Sequence, residues 1–182
     1  MCFYHSKHFI MKYFYKLFIC LSLLLIVFSI DAKAFNSLSI KGFPILGIVT
    51  EEGKKCKDAY VEVYDGNLVV QEFQTPANGR FNLTLELNHY YTVKISKAGM
   101  VPKILSIDTR VKSRRISVPV YECDIDLIPS SLFTGMNTSI LDFPMAIVRY
   151  NRRKGEFIHN EDYTAHMRSA YDELVQESQL KN

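Results

Sequence analysis

The sequence lacks tryptophan, has few cysteines, and carries little net charge once its first residues are set aside. Its 182 residues include no Trp and four Cys. Trp is the largest aromatic side chain, so the chain lacks the broadest platform for stacking on a sugar. Four of the 22 Lys and Arg residues and one of the 19 Asp and Glu residues precede Phe35. The remainder is balanced in charge, so we expect no basic field that would attract nucleic acid.

Motifs that carry chemistry are missing as well. The sequence has no serine-centred nucleophile elbow, phosphate-cradling glycine loop or dinucleotide fingerprint. Beyond residue 34 the histidines are His89, His159 and His166, and their spacing does not match a zinc motif. The sequence therefore predicts a protein that is not an enzyme, with no catalytic residues, cofactor or metal.

The first 34 residues have the pattern of an export signal. Three lysines precede an apolar run over residues 17–30, and Ala32-Lys33-Ala34 fits the small-residue cleavage pattern. The run is short for a membrane span. We predict a signal peptide over residues 1–34 and no stable membrane span after its cleavage. An uncleaved anchor is the alternative, and Met1 and Met11 are both candidate start sites.

Short segments that alternate apolar and polar residues fill the region from residue 35 to residue 128. In the clearest one, Phe81, Leu83 and Leu85 alternate with Asn82 and Thr84. This period-two pattern predicts strands with one buried face. The predicted strands are 43–50, 58–65, 68–74, 80–87, 91–96, 103–108 and 118–127. Seven short strands at this spacing predict an all-β fold, a seven-stranded antiparallel β-sandwich.

Residues 129–182 differ in character and predict a C-terminal extension with one helix. The apolar stretch 140–150 predicts a further strand, and Asn160 is suited to cap a helix. An apolar stripe then recurs at helical spacing, formed by Tyr163, Met167, Tyr171, Leu174 and Val175. We predict that this stripe packs on the sandwich; a stripe that serves a partner is the alternative.

Four motifs occur together in the strand region: Gly47-x-Val49, Ala59-x-Val61-x-Val63, Asn78-Gly79-x-Phe81-x-Leu83 and Tyr91-x-Val93-x-Ile95-x-x-x-Gly99. In this combination residues 43–127 resemble the carboxypeptidase regulatory-like domain, a transthyretin-like or prealbumin-like β-sandwich. The family commonly has an aromatic residue after the last glycine, where this chain has Met100. The resemblance implies a small exported protein in the periplasm, outer membrane or cell surface of a Gram-negative bacterium of the Bacteroidetes type. This domain is an accessory to the zinc peptidase, so the resemblance implies no catalytic activity.

An acidic strand face offers weak candidates for metal ligands. Glu122, Asp124 and Asp126 alternate along one predicted strand, and hard oxygen ligands suit Ca²⁺. Alternate residues on a strand lie about 6.5–7 Å apart, too far to share one ion without help from a loop. We favour a solvated face that pairs with Lys or Arg on neighbouring strands.

Two cysteines, Cys56 and Cys123, remain beyond the predicted signal. An exported protein meets oxidising conditions, so a Cys56–Cys123 disulfide is one interpretation. The other is a buried thiol at Cys123 and an exposed thiol at Cys56. Neither has a neighbouring base in the sequence that would make it a nucleophile.

Tyr60 and Tyr64 fall on the polar face of one predicted strand, where they form either a small binding platform or a cross-strand packing pair. Taken together, the sequence predicts a non-enzymatic exported interaction or structural module of the cell envelope, with another envelope protein as its partner. The alternative is a glycan- or peptide-binding accessory module for surface nutrient uptake. The sequence identifies no small-molecule ligand.

Overall fold

Within residues 42–111 and 118–181, the computed structural model contains ten strands and one α-helix. The predicted signal peptide lies outside these described residues. The strands are β1 (Gly42–Glu51), β2 (Lys54–Lys55), β3 (Tyr60–Asp65), β4 (Leu68–Gln74), β5 (Arg80–Glu86), β6 (Tyr90–Ser96), β7 (Lys103–Asp108), β8 (Tyr121–Leu127), β9 (Ala146–Asn151) and β10 (Glu156–His159). The helix α1 spans Glu161–Lys181, and short 3₁₀ turns lie at Ser130–Phe133 and Ser139–Asp142.

The strands form the two sheets of a β-sandwich. In the first sheet β1 pairs antiparallel with β5 and parallel with β8, and β2 pairs with the end of β1. The second sheet has the order β10-β9-β7-β6-β3-β4. Both sheets contribute buried side chains to one apolar core, in which Val61, Val93 and Ile125 are almost fully buried.

The prediction of seven antiparallel strands is wrong in number and partly in direction. All seven predicted strands are present, and Leu68–Gln74 and Lys103–Asp108 have the predicted bounds. The additional strands are β2, a two-residue pairing, and β9 and β10, which follow residue 129. The pairs β1–β8 and β7–β9 are parallel, because each joins strands separated by long connections that can reverse the chain direction.

The helix begins after Asn160, as predicted. The side-chain Oδ1 of Asn160 accepts a hydrogen bond from the N–H of Tyr163 at 3.2 Å, which satisfies a free donor of the first turn. On the apolar stripe, Met167 and Leu174 are buried, and Leu174 belongs to a cluster that includes Phe133. The stripe, predicted to pack on the sandwich, does so in part: Tyr171 contacts Lys103 of β7, whereas Leu174 packs with Phe133 of a 3₁₀ turn. No helix within the described ranges is both long and apolar enough to cross a membrane.

Candidate binding surfaces

Strand β4 is one of the two outer strands of the six-stranded sheet, and its open edge begins with three exposed apolar residues. Leu68, Val69 and Val70 are 72%, 46% and 54% exposed. Val63 of β3 faces Gln71 and the next residue faces Val69, so Val70 bulges without a partner residue in β3. An edge strand presents unpaired N–H and C=O groups, which proteins normally protect with charges, proline, a bulge or a covering element. The first half of β4 has no charged residue and no proline.

Other strands at the margins of the sheets carry more polar surfaces. The exposed residues of β5 are Arg80, Asn82, Thr84 and Glu86. Strand β8 exposes its acidic residues. In β4 the single charged residue is Glu72, which is already hydrogen-bonded to Tyr60. Strand β4 is therefore better suited than β5 or β8 to pair with an uncharged strand of another protein.

The outer face beside β4 holds the two tyrosines that the sequence singles out. The hydroxyl of Tyr60 donates a hydrogen bond to Glu72 Oε2 at 2.5 Å, and that of Tyr64 donates to Glu62 Oε1 at 2.7 Å. Chiefly because of these hydrogen bonds, the pKa of Tyr60 is raised to about 12 and that of Tyr64 is also raised. Lys94 Nζ lies 3.7 Å from Glu62 Oε2 on the same face. Both tyrosines thus lie on the expected face, and each hydroxyl is bound to a carboxylate.

The three acidic residues of β8 lie along one strand face. Glu122, Asp124 and Asp126 are all exposed on one face, as the alternation predicts. Asp126 Oδ1 accepts hydrogen bonds from Thr50 Oγ1 at 2.5 Å and from Gly53 N at 3.3 Å. This carboxylate therefore stabilises the turn after β1. Among the described residues, no group of three or more His, Cys, Asp or Glu side chains is placed to hold a metal ion.

The two cysteines are free thiols, and their burial is the reverse of the expected one. Cys56 is 1% exposed, whereas Cys123 as a whole residue is half-buried. Cys56 is buried because its loop folds back on the sandwich: its N–H donates to Val49 O and its carbonyl accepts from Thr75 Oγ1. Burial of the Cys123 sulfur raises the pKa of that thiol to about 12, which disfavours the nucleophilic thiolate. The Cys56–Cys123 disulfide is not formed in this structure.

A cleft of about 310 Å³ lies between β7, β8 and α1, and it was not predicted from the sequence. Apolar side chains form most of its lining, including those of Val101, Ile104, Ile128, Leu141, Met145 and Met167. The polar lining comes from Lys103, Asp124, Asp126, Thr164, Arg168 and Tyr171. An apolar cleft with a few polar groups is the usual form of a small-molecule site.

Lys103 is the buried cation of this cleft. The residue is 9% exposed, and its Nζ lies 3.3 Å from the centroid of the Tyr171 ring, a cation–π contact. Burial lowers the pKa of Lys103 from 10.5 to about 8, against a smaller opposing effect of Asp126. The ammonium is still the main form at pH 7. The structure shows no hydrogen bond or ion pair from this ammonium to any other described residue.

Two hydroxyls that line the same cleft are also unpartnered. Thr164 Oγ1 and Tyr171 Oη are buried and make no hydrogen bond in the part of the chain that the structure describes. Burial also raises the pKa of Tyr171 to about 12, so this phenol remains a hydrogen-bond donor at neutral pH. A buried polar group without a partner is costly, and its presence at a cleft indicates a ligand or bound water.

The sequence contained one signal for this site. In the period-two pattern of β7, Lys103 is in phase with Leu105 and Ile107, so a charged residue stands at a position of the buried set. The sequence places Tyr171 on the apolar stripe of the helix. It does not indicate that Thr164, Arg168 and Tyr171 line one cleft with Lys103, which lies much earlier in the chain.

Comparisons with known proteins assign no family to this chain. No protein-family model matches it, and no curated protein matches it. Among solved structures, it is similar to S.CueP, with 18% identity over 48% of this chain and 62% of that one, at a TM-score of 0.34. The backbone protein of group B streptococcus pilus 2b has 13% identity over 50% of this chain and 43% of that one, at a TM-score of 0.35.

A third similar structure is the full-length major pilin SpaD from Corynebacterium diphtheriae. The identity is 18% over 48% of this chain and 30% of the pilin, at a TM-score of 0.37. The chain thus covers less than two thirds of each of these three proteins. At such TM-scores the similarity is partial and carries no conclusion about function.

Proposed function

We propose that this protein is a non-enzymatic, exported interaction module of the cell envelope, built on a carboxypeptidase regulatory-like sandwich. In this proposal a strand of another envelope protein adds to the open edge of β4. The observation that carries the proposal is the exposed, uncharged stretch Leu68, Val69 and Val70 at a sheet edge. Added strands gain main-chain hydrogen bonds, and alternate side chains supply specificity. The export pattern of residues 1–34 supports a location in the periplasm, outer membrane or cell surface.

The bulge at Val70 suits this role. A bulged residue leaves part of its strand unpaired and increases the local twist, which discourages indiscriminate pairing with flat strands. Only a partner strand that matches this twist can pair with β4. The open edge is therefore selective for its partner strand. The partner that fits is an extended segment with uncharged side chains opposite Leu68 and Val69.

We test this proposal with a charge placed on the edge and a matched charge elsewhere. Val69 and Val120 are 46% and 47% exposed, but Val120 lies outside the strands. The full-length protein is expressed in its native host, cross-linked in intact envelopes and captured. We expect Val69→Lys to reduce the partner adduct about tenfold or more, because a lysine on an edge strand opposes pairing. Val120→Lys should leave it unchanged.

The test compares the adduct formed by the Val69→Lys variant with that formed by the Val120→Lys variant. Capture of a protein does not by itself support the proposal. An adduct that survives Val69→Lys, or that both variants reduce equally, would overturn the proposal. An adduct that contains only two copies of this chain would also overturn it, because the partner would then be the protein itself. Thermal unfolding of both variants checks that each is folded.

As a second function we propose a glycan- or peptide-binding accessory module for surface nutrient uptake, which would use the outer face at Tyr60 and Tyr64. The arrangement that favours it is two tyrosines flanking Glu62, with Lys94 nearby. On glycan and peptide arrays, the double variant Tyr60→Ala/Tyr64→Ala should lose about tenfold or more in binding, while Tyr60→Phe/Tyr64→Phe should retain stacking. Unchanged binding by the alanine variant would exclude this face as the site.

A further inference from the structure

The cleft under α1 holds a set of polar groups that can donate hydrogen bonds and find no acceptor. Lys103 Nζ has three N–H donors, and Thr164 Oγ1 and Tyr171 Oη have one O–H each. None of the three has a hydrogen-bond partner among the described residues. A ligand that satisfies them must therefore bring acceptors, and one that meets a buried ammonium is best matched if it is negatively charged.

The charged residues that line the cleft differ in their exposure to solvent. Asp124 and Asp126 from β8 and Arg168 from α1 also line it, and all three residues are exposed to solvent. Water and salt screen charges at exposed positions, whereas a buried charge is screened much less. The Asp126 carboxylate is hydrogen-bonded to Thr50 and Gly53, and it also raises the pKa of Lys103 and of Tyr171. Lys103 is therefore the buried charge among the residues that line the cleft, and its burial affects its pKa more than Asp126 does.

The rest of the lining selects an apolar ligand body. Ile104, Ile128 and Met167 are typical of this lining, and the volume of about 310 Å³ is at the lower end of the range for small-molecule sites. Each CH₂ group of an apolar chain that is buried on such a lining strengthens binding. A ligand with one acidic head and a short apolar chain matches both the lining and the volume.

We propose that the cleft between β7, β8 and α1 binds a small amphiphile with one carboxylate, whose head group contacts Lys103 and whose chain lies on the apolar lining. The hydroxyls of Thr164 and Tyr171 supply further hydrogen-bond donors to the ligand. The site is separate from the β4 edge and gives this protein a small-molecule ligand.

Isothermal titration calorimetry of the purified protein, produced from the full chain, tests the proposal with three probes of equal chain length. These are decanoate, decanol and decylamine, each used below its micelle concentration at pH 7. We expect decanoate to bind about tenfold or more tightly than decanol, because it adds a charge-assisted hydrogen bond to a buried ammonium. Decylamine should bind more weakly than decanol, because its ammonium would be repelled by Lys103.

Variants assign the preference to the cleft. Lys103→Met should lower decanoate affinity about tenfold or more and leave decanol affinity unchanged or higher. The matched control is Lys94→Met, which removes a lysine from the outer face of β6 and should change neither affinity. Val69→Lys, which tests the β4 edge, should bind decanoate as the unchanged protein does.

Three results would overturn the proposal. The first is the absence of decanoate binding, and the second is equal affinity for decanoate and decanol, which would mean that the cleft recognises only apolar chains. The third is undiminished decanoate binding by folded Lys103→Met. Tyr171→Phe gives a second measure, because it keeps the ring and removes one donor; unchanged decanoate affinity in this variant would remove Tyr171 from the site.

Discussion

A chain that ends at Pro129 is expected to lose cooperative folding. The removed segment supplies five large buried side chains, those of Phe133, Val148, Phe157, Met167 and Leu174. At about 1.5–3 kcal/mol for each buried side chain, their loss amounts to roughly 10 kcal/mol. That is comparable with the entire stability of a typical domain, about 5–15 kcal/mol. Val148 and Phe157 also belong to the core that the two sheets share.

Thermal unfolding followed by circular dichroism measures this effect. The matched control is a chain that ends at Ser178, which removes exposed residues such as Leu180 and should unfold as the full chain does. A chain ending at Pro129 that still unfolds cooperatively at a similar temperature would show that β9, β10 and α1 are dispensable for the sandwich. It would contradict the contribution of Val148 and Phe157 to the core that the two sheets share.

Replacement of Lys103 by methionine is expected to raise the free energy of unfolding by about 3 kcal/mol at pH 7. The pKa of Lys103 falls from 10.5 to about 8 in the folded protein, so folding disfavours the charged form. Each pKa unit corresponds to about 1.4 kcal/mol, which gives the expected gain. Methionine has a similar length and fills the same apolar lining without a charge.

The same buried amine predicts a pH profile for the unchanged protein. Between about pH 8 and pH 10.5 the unfolded chain binds more protons at Lys103 than the folded chain, so the free energy of unfolding rises with pH. The tyrosines act in the opposite direction above pH 10, because Tyr121 and Tyr171 have folded pKa values of about 12. The informative window is therefore pH 8 to pH 10.

Urea unfolding across this window, with Lys103→Met measured in parallel, separates the contributions. The tyrosines are present in both proteins, so the difference between the two curves reports mainly on Lys103. We expect that difference to shrink as pH rises from 8 to 10. A constant difference, or a Lys103→Met variant that is less stable at pH 7, would mean that the ammonium is well compensated in the ligand-free protein.

The strand pattern could be derived from the sequence wherever one face of a strand is buried and the other solvated. Alternation marked Phe81, Leu83 and Leu85 of β5 as buried, and the structure buries all three. The helix was equally accessible, because Asn160 and the apolar stripe are local signals. Period and capping are properties of neighbouring residues, so they need no knowledge of the partner strands.

Features that depend on distant residues could not be derived in this way. The parallel pairing of β7 with β9 joins Leu105 to Ala146, and no local pattern encodes such a pairing. Burial of Cys56 follows from hydrogen bonds to Val49 and Thr75, which only the folded loop brings together. The cleft at Lys103 is the clearest case. The sequence pattern of a strand or of a helix describes that element alone, and it does not predict that β7, β8 and α1 line one cleft.

Site-specific photo-cross-linking from Leu68 in living cells tests the β4 edge most directly. A photoreactive residue at position 68, which is 72% exposed, is compared with one at position 180, which is 87% exposed and lies at the end of α1. We predict one discrete adduct with another envelope protein from position 68, none from position 180, and loss of the adduct when Val69→Lys is added. The absence of an adduct from position 68, or the same adduct from both positions, would contradict a partner strand on β4.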